Sequence, residues 1–252
     1  MLKMITTTAI ATLTTTAVFA GNPFTYGDGT DSFTGYAVEV VNAHGTVVLV
    51  HDWNGLSQHE VTRAEELGRM GYNVLAVDLY GSMVPEGATI TEDQARAFYA
   101  DHDLVLARLA AAVEASQSLG YNWSWTPEPT ILAGYCMGGK AVIDLALSGW
   151  GEQANVQGFI SFDGLPIEAA FNATEPPAAP MLIYQGTGDE RTAFEQLAAS
   201  VEHLEMIEAD FQFAWISGAG NGYGVIDSPN YSGQSDLRSW RGLEDFLLAA
   251  VR

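Results

Sequence analysis

The chain has 252 residues, and 48% of them are hydrophobic, which is ample apolar material for the core of one large domain. Its 31 acidic and 10 basic residues give a formal net charge of -21, which argues against nucleic acid as a partner. A single cysteine excludes an internal disulfide, so the core must hold the fold without cross-links.

The first 20 residues resemble a secretory signal peptide. Lys3 lies near the start, residues 5–19 are apolar and rich in threonine, and Val18-Phe19-Ala20 provides a small-residue cleavage site. The segment is too short and polar for a membrane span. We expect it to be removed, and residues 21–252 to be exported to the periplasm or the exterior as a single domain without a membrane anchor. The alternative is a plain N-terminal extension.

Seven apolar runs predict β-strands, and five segments between or after them predict helices. In chain order, the predicted strands span residues 35–41, 46–51, 73–78, 130–134, 156–162, 181–185 and 211–217. The predicted helices span residues 57–70, 92–119, 139–148, 192–204 and 236–251. In the longest helix, one apolar stripe recurs at spacings of three and four residues: Ala95, Phe98, His102, Val105, Leu109 and Ala112.

Strands that alternate with helices predict an α/β fold. Most of these strands are continuous apolar runs, as expected for strands that are buried on both faces of a parallel sheet. We therefore expect a mostly parallel central sheet with helices on both faces. The turn over residues 42–45 predicts that the first two strands pair as an antiparallel hairpin. Ligands bind such sheets at the carboxyl ends of the strands.

The lone cysteine lies in the sequence Gly134-Tyr135-Cys136-Met137-Gly138-Gly139, where a predicted strand meets a predicted helix. A Gly-x-nucleophile-x-Gly turn forces its central residue into a strained backbone conformation and needs small neighbours. The N-terminus of the following helix favours a thiolate and donates hydrogen bonds to a developing oxyanion. We therefore expect Cys136 to be a nucleophile. The alternative is a buried cysteine that acts as a small hydrophobic residue.

Three other segments end predicted strands at the same edge, namely residues 51–55, 186–189 and 217–222. Together with the cysteine turn and residues 71–81, they resemble the dienelactone hydrolase family, over roughly residues 35–251. The resemblance implies an α/β-hydrolase fold and a Cys, Asp, His triad in that chain order. It also implies hydrolysis of small esters or lactones, and we expect neither a metal nor another cofactor.

By this resemblance Asp189 occupies the place of the triad aspartate, although it is also suited to cap the following helix. Asn221 stands where the family has its histidine. Because a carboxamide is not a base near neutral pH, we expect activity to be impaired, while Asn-Gly is also a favoured turn pair. Asp52 stands where the family usually has a glutamate beside the resting thiol. It is the base that remains, or else a turn residue.

The five histidines do not replace the missing base. His44 lies in the predicted turn, and His59, His102 and His203 begin or lie on predicted helices. Strand alternation should point His51 away from the face that Asp52 uses.

The resemblance also assigns the backbone N–H groups of Trp53 and Met137 to an oxyanion hole. Tyr80, Tyr135 and Tyr223 are candidate walls of the substrate pocket, with core packing as the alternative for each of them.

The substrate is expected to be a small neutral ester or lactone. The family's namesake substrates carry a carboxylate, yet residues 81–88 contain no basic side chain. Arg96 and Arg191 remain as candidate anion-binding residues. Two other functions stay open at this point: a ligand-binding protein that has lost its chemistry at Asn221, and a redox-sensing thiol at Cys136.

Overall fold

The computed structural model describes residues 21–85, 87–120, 128–150, 155–164 and 172–251. The predicted signal peptide, residues 1–20, lies outside the described residues. Within the described ranges, no helix is both long enough and apolar enough to cross a membrane.

Eight strands form one sheet in the order β1-β2-β4-β3-β5-β6-β7-β8. Their bounds are β1 Asn22–Gly27, β2 Ser32–Val38, β3 Thr46–Val50, β4 Asn73–Val77, β5 Thr130–Tyr135, β6 Val156–Phe162, β7 Met181–Gly186 and β8 Phe211–Ile216. The β1–β2 and β2–β4 pairs are antiparallel, and the other neighbouring pairs are parallel. The predicted mostly parallel sheet is therefore confirmed.

Helices cover both faces of the sheet. Their bounds are α1 Gln58–Arg69, α2 Glu92–Ala100, α3 His102–Ser116, α4 Met137–Leu147, α5 Phe194–Met206 and α6 Gly233–Ala250, with one 3₁₀ turn at Gly81–Met83. Side chains of α2, α3, α4 and α5 share one apolar cluster with one face, and those of α1 and α6 share a second cluster with the other. Burial of apolar surface on both faces is the main stabilising contribution to this architecture.

The predicted hairpin between the first two predicted strands is wrong. Strand β2 pairs with β4, with Ala37 opposite Leu75, and β3 lies between β4 and β5. All five residues of β3 are buried, whereas β2 has exposed residues in its first half. A fully buried strand needs neighbours on both sides, so β3 takes a central place. The hairpin partner of β2 is β1, a strand that the sequence did not predict.

The predicted long helix over residues 92–119 is divided in two. Asp101 has φ -88° and ψ 80°, and its carboxylate accepts a hydrogen bond from the Leu104 N–H at 3.2 Å, so it caps the start of α3. His102, which was predicted to lie on the apolar stripe, is the first residue of α3, and its side chain is 43% exposed. The sequence predicted one helix because the apolar spacing continues across Asp101, although aspartate favours the N-cap position.

Candidate active site

Cys136 occupies a sharp turn between β5 and α4. Its φ of 50° and ψ of -115° lie outside the regions that ordinary residues adopt, and such strain is concentrated at functional sites. A Cβ at Gly138 would collide with the carbonyl oxygen of His51, and one at Gly134 with the carbonyl oxygen of Gly138. The small neighbours that the sequence pattern required are therefore needed for this turn to form.

The sulfur of Cys136 meets the loop after β8. Its thiol donates to Asn221 Oδ1 at 3.5 Å, and Asn221 Nδ2 lies 3.4 Å from Asp189 Oδ2. Buried Gln185 donates to the same Asp189 oxygen at 3.0 Å, and the Arg191 N–H donates to Asp189 Oδ1 at 2.9 Å. The structure thus arranges a thiol, an amide and a carboxylate in the order of a nucleophile, base and acid triad, with an amide in the central place.

The carboxylate of Asp189 contacts Asn221 and Gln185 and does not cap α5. The N-cap of α5 is Ala193, four residues further along the chain. The Asn-Gly turn is also present, because Gly222 has φ +78°. Both Asn221 roles, turn former and thiol contact, therefore hold in the structure.

The thiol of Cys136 is held protonated. Burial raises its pKa to about 12, and the nearby charges of Asp52 and Asp163 act in the same direction. Arg191 and the backbone N–H of Met137 lower the pKa but do not outweigh these effects. The N-terminus of α4 favours the thiolate, as expected, but burial beside two carboxylates outweighs one helix terminus.

Asp52 lies at the end of β3 and is 6% exposed. Its Oδ1 accepts a hydrogen bond from the Asn54 N–H at 2.8 Å, which is the turn role considered above, and burial raises its pKa. It lies near enough to Cys136 for its charge to raise the pKa of the thiol. Trp53, the next residue, packs against an apolar cluster, and its carbonyl oxygen accepts a hydrogen bond from Tyr80 Oη at 2.7 Å.

Glu60, on α1, is another buried carboxyl group, and it interacts electrostatically with Asp52. Its Oε2 accepts hydrogen bonds from the N–H and Oγ of Ser57, and its Oε1 has no hydrogen-bond partner. Burial raises its pKa to about 7, and the charge of Asp52 adds to the shift. Negative charge on Glu60 is therefore unfavourable in the folded protein.

The described histidines have other contacts. His51 is fully buried, and its Nε2 accepts the Leu79 N–H at 3.1 Å while its Nδ1 lies 2.6 Å from the Asp52 carbonyl oxygen. Burial lowers the pKa of His51, so its ring is neutral. Burial lowers the pKa of His59 to about 3, and its Nδ1 accepts the Ile226 N–H. Neither ring takes the place of the triad histidine.

A pocket of about 470 Å³ opens at Cys136. Its described lining residues are Glu92, Arg96, Cys136, Met137, Lys140, Asp163, Gly164, Asp189, Arg191, Thr192 and Asn221. Arg96 forms an ion pair with Glu92 at 2.6 Å, and Lys140 with Asp144 at 3.0 Å. Arg191 has no ion-pair partner within 4 Å among the described residues, so it is the basic group available to a ligand.

The three tyrosines that were candidate walls do not line this pocket. Tyr135 and Tyr223 are 2% and 0% exposed and belong to the apolar cluster beneath α1 and α6. Tyr80 lines a neighbouring pocket of about 680 Å³. The expectation is wrong for Tyr135 and Tyr223 because their rings pack in the core. Tyr135, for example, stacks on Phe162 at 4.7 Å.

Sequence reasoning missed Asp163, Gln185 and Lys140 as residues around the site. Asp163 follows β6, and its Asp-Gly sequence gives only a turn signal. Lys140 lies one helical turn after Cys136, a spacing that could have indicated the pocket. Among the described residues, no group of three or more His, Cys, Asp or Glu side chains is placed to hold a metal ion.

The sequence profile described as the dienelactone hydrolase family matches residues 33–251. The structure is similar to that of a dienelactone hydrolase-like promiscuous phosphotriesterase from metagenomic libraries, at 20% identity and a TM-score of 0.73, covering 93% of this chain and 99% of that chain. It is also similar to a dienelactone hydrolase from Anabaena variabilis, at 20% identity and a TM-score of 0.63, covering 90% and 99% of the two chains.

An alpha-beta serine hydrolase homologue from Coxiella burnetii matches at 19% identity and a TM-score of 0.61, covering 88% of this chain and 94% of that chain. These structural matches establish the α/β-hydrolase fold. No curated protein shows significant sequence similarity to the chain.

Proposed function

Because the chain belongs to the dienelactone hydrolase family, we propose that it hydrolyses small carboxylic esters or lactones with Cys136 as the nucleophile. The observation that carries the proposal is the continuous contact from the Cys136 thiol through Asn221 to Asp189 at a strained strand-to-helix turn. The same turn places the sulfur at the N-terminus of α4, where main-chain N–H groups are free to stabilise negative charge.

The first step forms a thioester. Asp52 takes the proton of the Cys136 thiol, and the sulfur attacks the carbonyl carbon of the ester. The N–H groups of Met137 and Trp53 stabilise the oxyanion of the tetrahedral intermediate. As the C–O bond breaks, the leaving oxygen takes the proton from Asp52. The charge of Asp52 raises the pKa of the Cys136 thiol, and this electrostatic coupling supports the assignment.

The second step is the slow one in this proposal. Water must attack the thioester, and a base must accept a proton from that water. Asn221 cannot accept it, because a carboxamide is not a base near neutral pH. Asp52, which accepts the proton in the first step, is the acceptor that the proposal also assigns to the second, and we expect the acylated Cys136 to accumulate.

A substrate that carries a carboxylate fits the pocket better than a neutral one. Arg191 lies in the pocket without an ion-pair partner among the described residues, and its charge lowers the pKa values of both Cys136 and Asp52. A guanidinium group binds carboxylates through paired hydrogen bonds. The basic group comes from the loop after β7 and not from residues 81–88, which is why the sequence favoured a neutral substrate.

The test is to trap the acyl-enzyme. The protein is mixed with p-nitrophenyl acetate, release of p-nitrophenol is followed, and the mass of the peptide that contains Cys136 is measured. We expect a burst of p-nitrophenol, an acetyl group on Cys136 and slow turnover, all absent from Cys136→Ala. A carboxylated analogue, mono-p-nitrophenyl succinate, should acylate faster than the acetate, and Arg191→Gln should remove that preference. A folded protein without burst or adduct would contradict the proposal.

A second candidate function is a ligand-binding protein without turnover. It is supported by the amide at residue 221 and by the raised pKa of the Cys136 thiol. In that case the same carboxylated ester, used as a probe, would raise the melting temperature of the protein without being cleaved. Cys136→Ala would leave this stabilisation unchanged.

Export remains part of the proposal. The resemblance of residues 1–20 to a signal peptide supports a location in the periplasm or outside the cell. N-terminal sequencing of the protein recovered from the medium or periplasm should begin near Gly21.

A further inference from the structure

Asp163 is a buried carboxylate at the site that the proposed mechanism does not use. It directly follows β6, is 5% exposed, and lines the pocket that contains Cys136. Its φ of 56° lies in the left-handed region, which is uncommon for a residue other than glycine. Such a conformation persists where the surrounding contacts fix it.

The two oxygens of Asp163 join two loops of the site. Oδ1 accepts a hydrogen bond from the Gly186 N–H at 2.9 Å, and Oδ2 accepts one from the Gly222 N–H at 3.0 Å. Gly186 ends β7 three residues before Asp189, and Gly222 directly follows Asn221. One carboxylate therefore links the backbone beside the acid to the backbone beside the residue that contacts the thiol.

Phe162, the residue before Asp163, contacts the turn that carries Cys136. The carbonyl oxygen of Phe162 accepts the Cys136 N–H at 2.7 Å, and the Asp163 N–H donates to the Tyr184 carbonyl oxygen at 2.8 Å. The two bonds that the Asp163 side chain accepts, at 2.9 and 3.0 Å, are of normal length, although burial raises the pKa of this carboxyl group to about 7.

The side chain of Asn221 depends on its backbone for its position. Its contacts with Cys136 and Asp189 are long, at 3.5 and 3.4 Å, and contacts of this length are weak. Its backbone is held by the Asp163 bond to the next residue and by a bond from Asn230 Nδ2 to the Asn221 carbonyl oxygen at 3.0 Å. Loss of the Asp163 bonds would leave the bond from Asn230 next to Asn221, while Gly218 and Ala219, at the start of the loop, stay bonded to Thr187 and Gly188.

We propose that Asp163 is a positioning residue, which sets residue 221 between the sulfur of Cys136 and the carboxylate of Asp189. The inference rests on the proposed function in taking the sulfur as the reacting atom. It concerns how the site is held and not whether an ester is cleaved, so its test uses measurements that need no turnover.

The first measurement is amide hydrogen exchange in Asp163→Ala and Asp163→Asn. The alanine variant frees both N–H groups, and the asparagine variant keeps one acceptor oxygen and frees one of them. We expect exchange to rise about tenfold in peptides covering residues 182–189 or 217–225, as for the loss of one buried hydrogen bond. Asp101→Asn, which alters a carboxylate that caps α3, is the matched control and should leave both peptides unchanged.

The second measurement is a double-mutant cycle on the reactivity of Cys136 toward iodoacetamide. Asn221→Ala removes the thiol contact and should change the alkylation rate about threefold or more in the parent protein. In the Asp163→Ala background, or in Asp163→Asn if the alanine variant does not fold, the same change should have an effect of less than about 1.5-fold. A purely stabilising role would leave the two effects equal.

Equal Asn221→Ala effects in both backgrounds, no effect in either, or unchanged exchange in both peptides would overturn the inference. The two proposals fail separately. If the Asn221→Ala effect depends on Asp163 but no acyl adduct forms on Cys136, the hydrolase proposal is contradicted and the role of Asp163 is supported. If the adduct forms but the Asn221→Ala effect does not depend on Asp163, the role of Asp163 is contradicted and the hydrolase proposal is supported.

Discussion

The cysteine turn and the loop after β8 form the two halves of one site, and they are held in different ways. The turn is fixed by main-chain packing, because Gly138 touches the carbonyl region of His51 with no room for a side chain. The loop presents one side chain, Asn221, through two contacts of 3.4 and 3.5 Å. One half is specified by the fold itself, and the other by a residue that the fold does not depend on.

Under the proposed function, this difference explains how the site keeps Cys136 in the turn while an amide, Asn221, stands where a base is needed. Substitutions in the turn disturb the packing of β5 against α4 and are costly for folding. A change from histidine to asparagine in the loop leaves the backbone free to form the same turn, since Asn-Gly favours it. Stability therefore preserves the geometry around the sulfur whether or not catalysis is under selection.

The contrast predicts the largest effect for a substitution in the turn. Gly138→Ala should lower the free energy of unfolding by about 3 kcal/mol, because its Cβ would meet backbone atoms that cannot move aside. Urea unfolding followed by circular dichroism measures the change. The matched control is Gly233→Ala at the start of α6, where the nearest atoms lie at 3.8 Å, and it should be nearly neutral. Equal stability of the two variants would contradict the claim that main-chain packing fixes the cysteine turn.

The second prediction restores the base. Asn221→His should raise ester hydrolysis by about 10²-fold, or about 2.7 kcal/mol of activation free energy, because a positioned imidazole can move the thiol proton. Initial rates with p-nitrophenyl acetate give the comparison. Asn221→Gln, which keeps an amide, should show no gain. A histidine variant as slow as the parent would mean that the loop half has diverged beyond this one residue.

The third prediction concerns the free-energy cost of ionising the buried Glu60. The pKa of Glu60 is raised from 4.5 in the unfolded chain to about 7 in the fold, so the folded state binds the extra proton between these values. Its stability should therefore fall as pH rises from about 4.5 to about 7. Glu60→Gln removes this loss and should gain about 3 kcal/mol on the parent between pH 4.5 and pH 8.

Urea titrations at the two pH values measure this gain. Glu195→Gln, in the exposed first turn of α5, is the control and should follow the parent at both pH values. A parallel pH dependence of parent and Glu60→Gln would show that Glu60 ionises freely in the folded protein.

Local patterns predicted most of the fold. Seven of the eight strands were indicated by apolar runs, and the strand-to-helix turn at Cys136 was indicated by its glycines, because both signals are carried by adjacent residues. Strand β1 was missed because only Tyr26 in it is fully buried, so it lacks an apolar run. The pairing of β2 with β4 was missed because strand order depends on which distant segments cover each other.

Site residues were predicted where the order of motifs along the chain identifies them, and they were missed where only contacts between distant loops identify them. Cys136, Asp189 and Asn221 meet as the order of motifs indicated. Asp163 was missed because its partners, Gly186 and Gly222, lie on other loops. The raised pKa of Cys136 was not predicted, because the sequence shows a helix terminus and Asp52 but neither the burial around the sulfur nor the charge of Asp163.

The topology also constrains when the pocket comes into being as the polypeptide folds. Its described lining residues lie on α2 and α4 and in the segments that follow β5, β6, β7 and β8, and the loop with Asn221 follows β8, the strand at the edge of the sheet. Contacts between such distant segments form slowly, since long stretches of chain must be ordered first. The complete pocket is therefore a late product of folding, and a nascent chain that has not yet docked β8 carries the Cys136 sulfur without the Asn221 amide that contacts it in the folded protein.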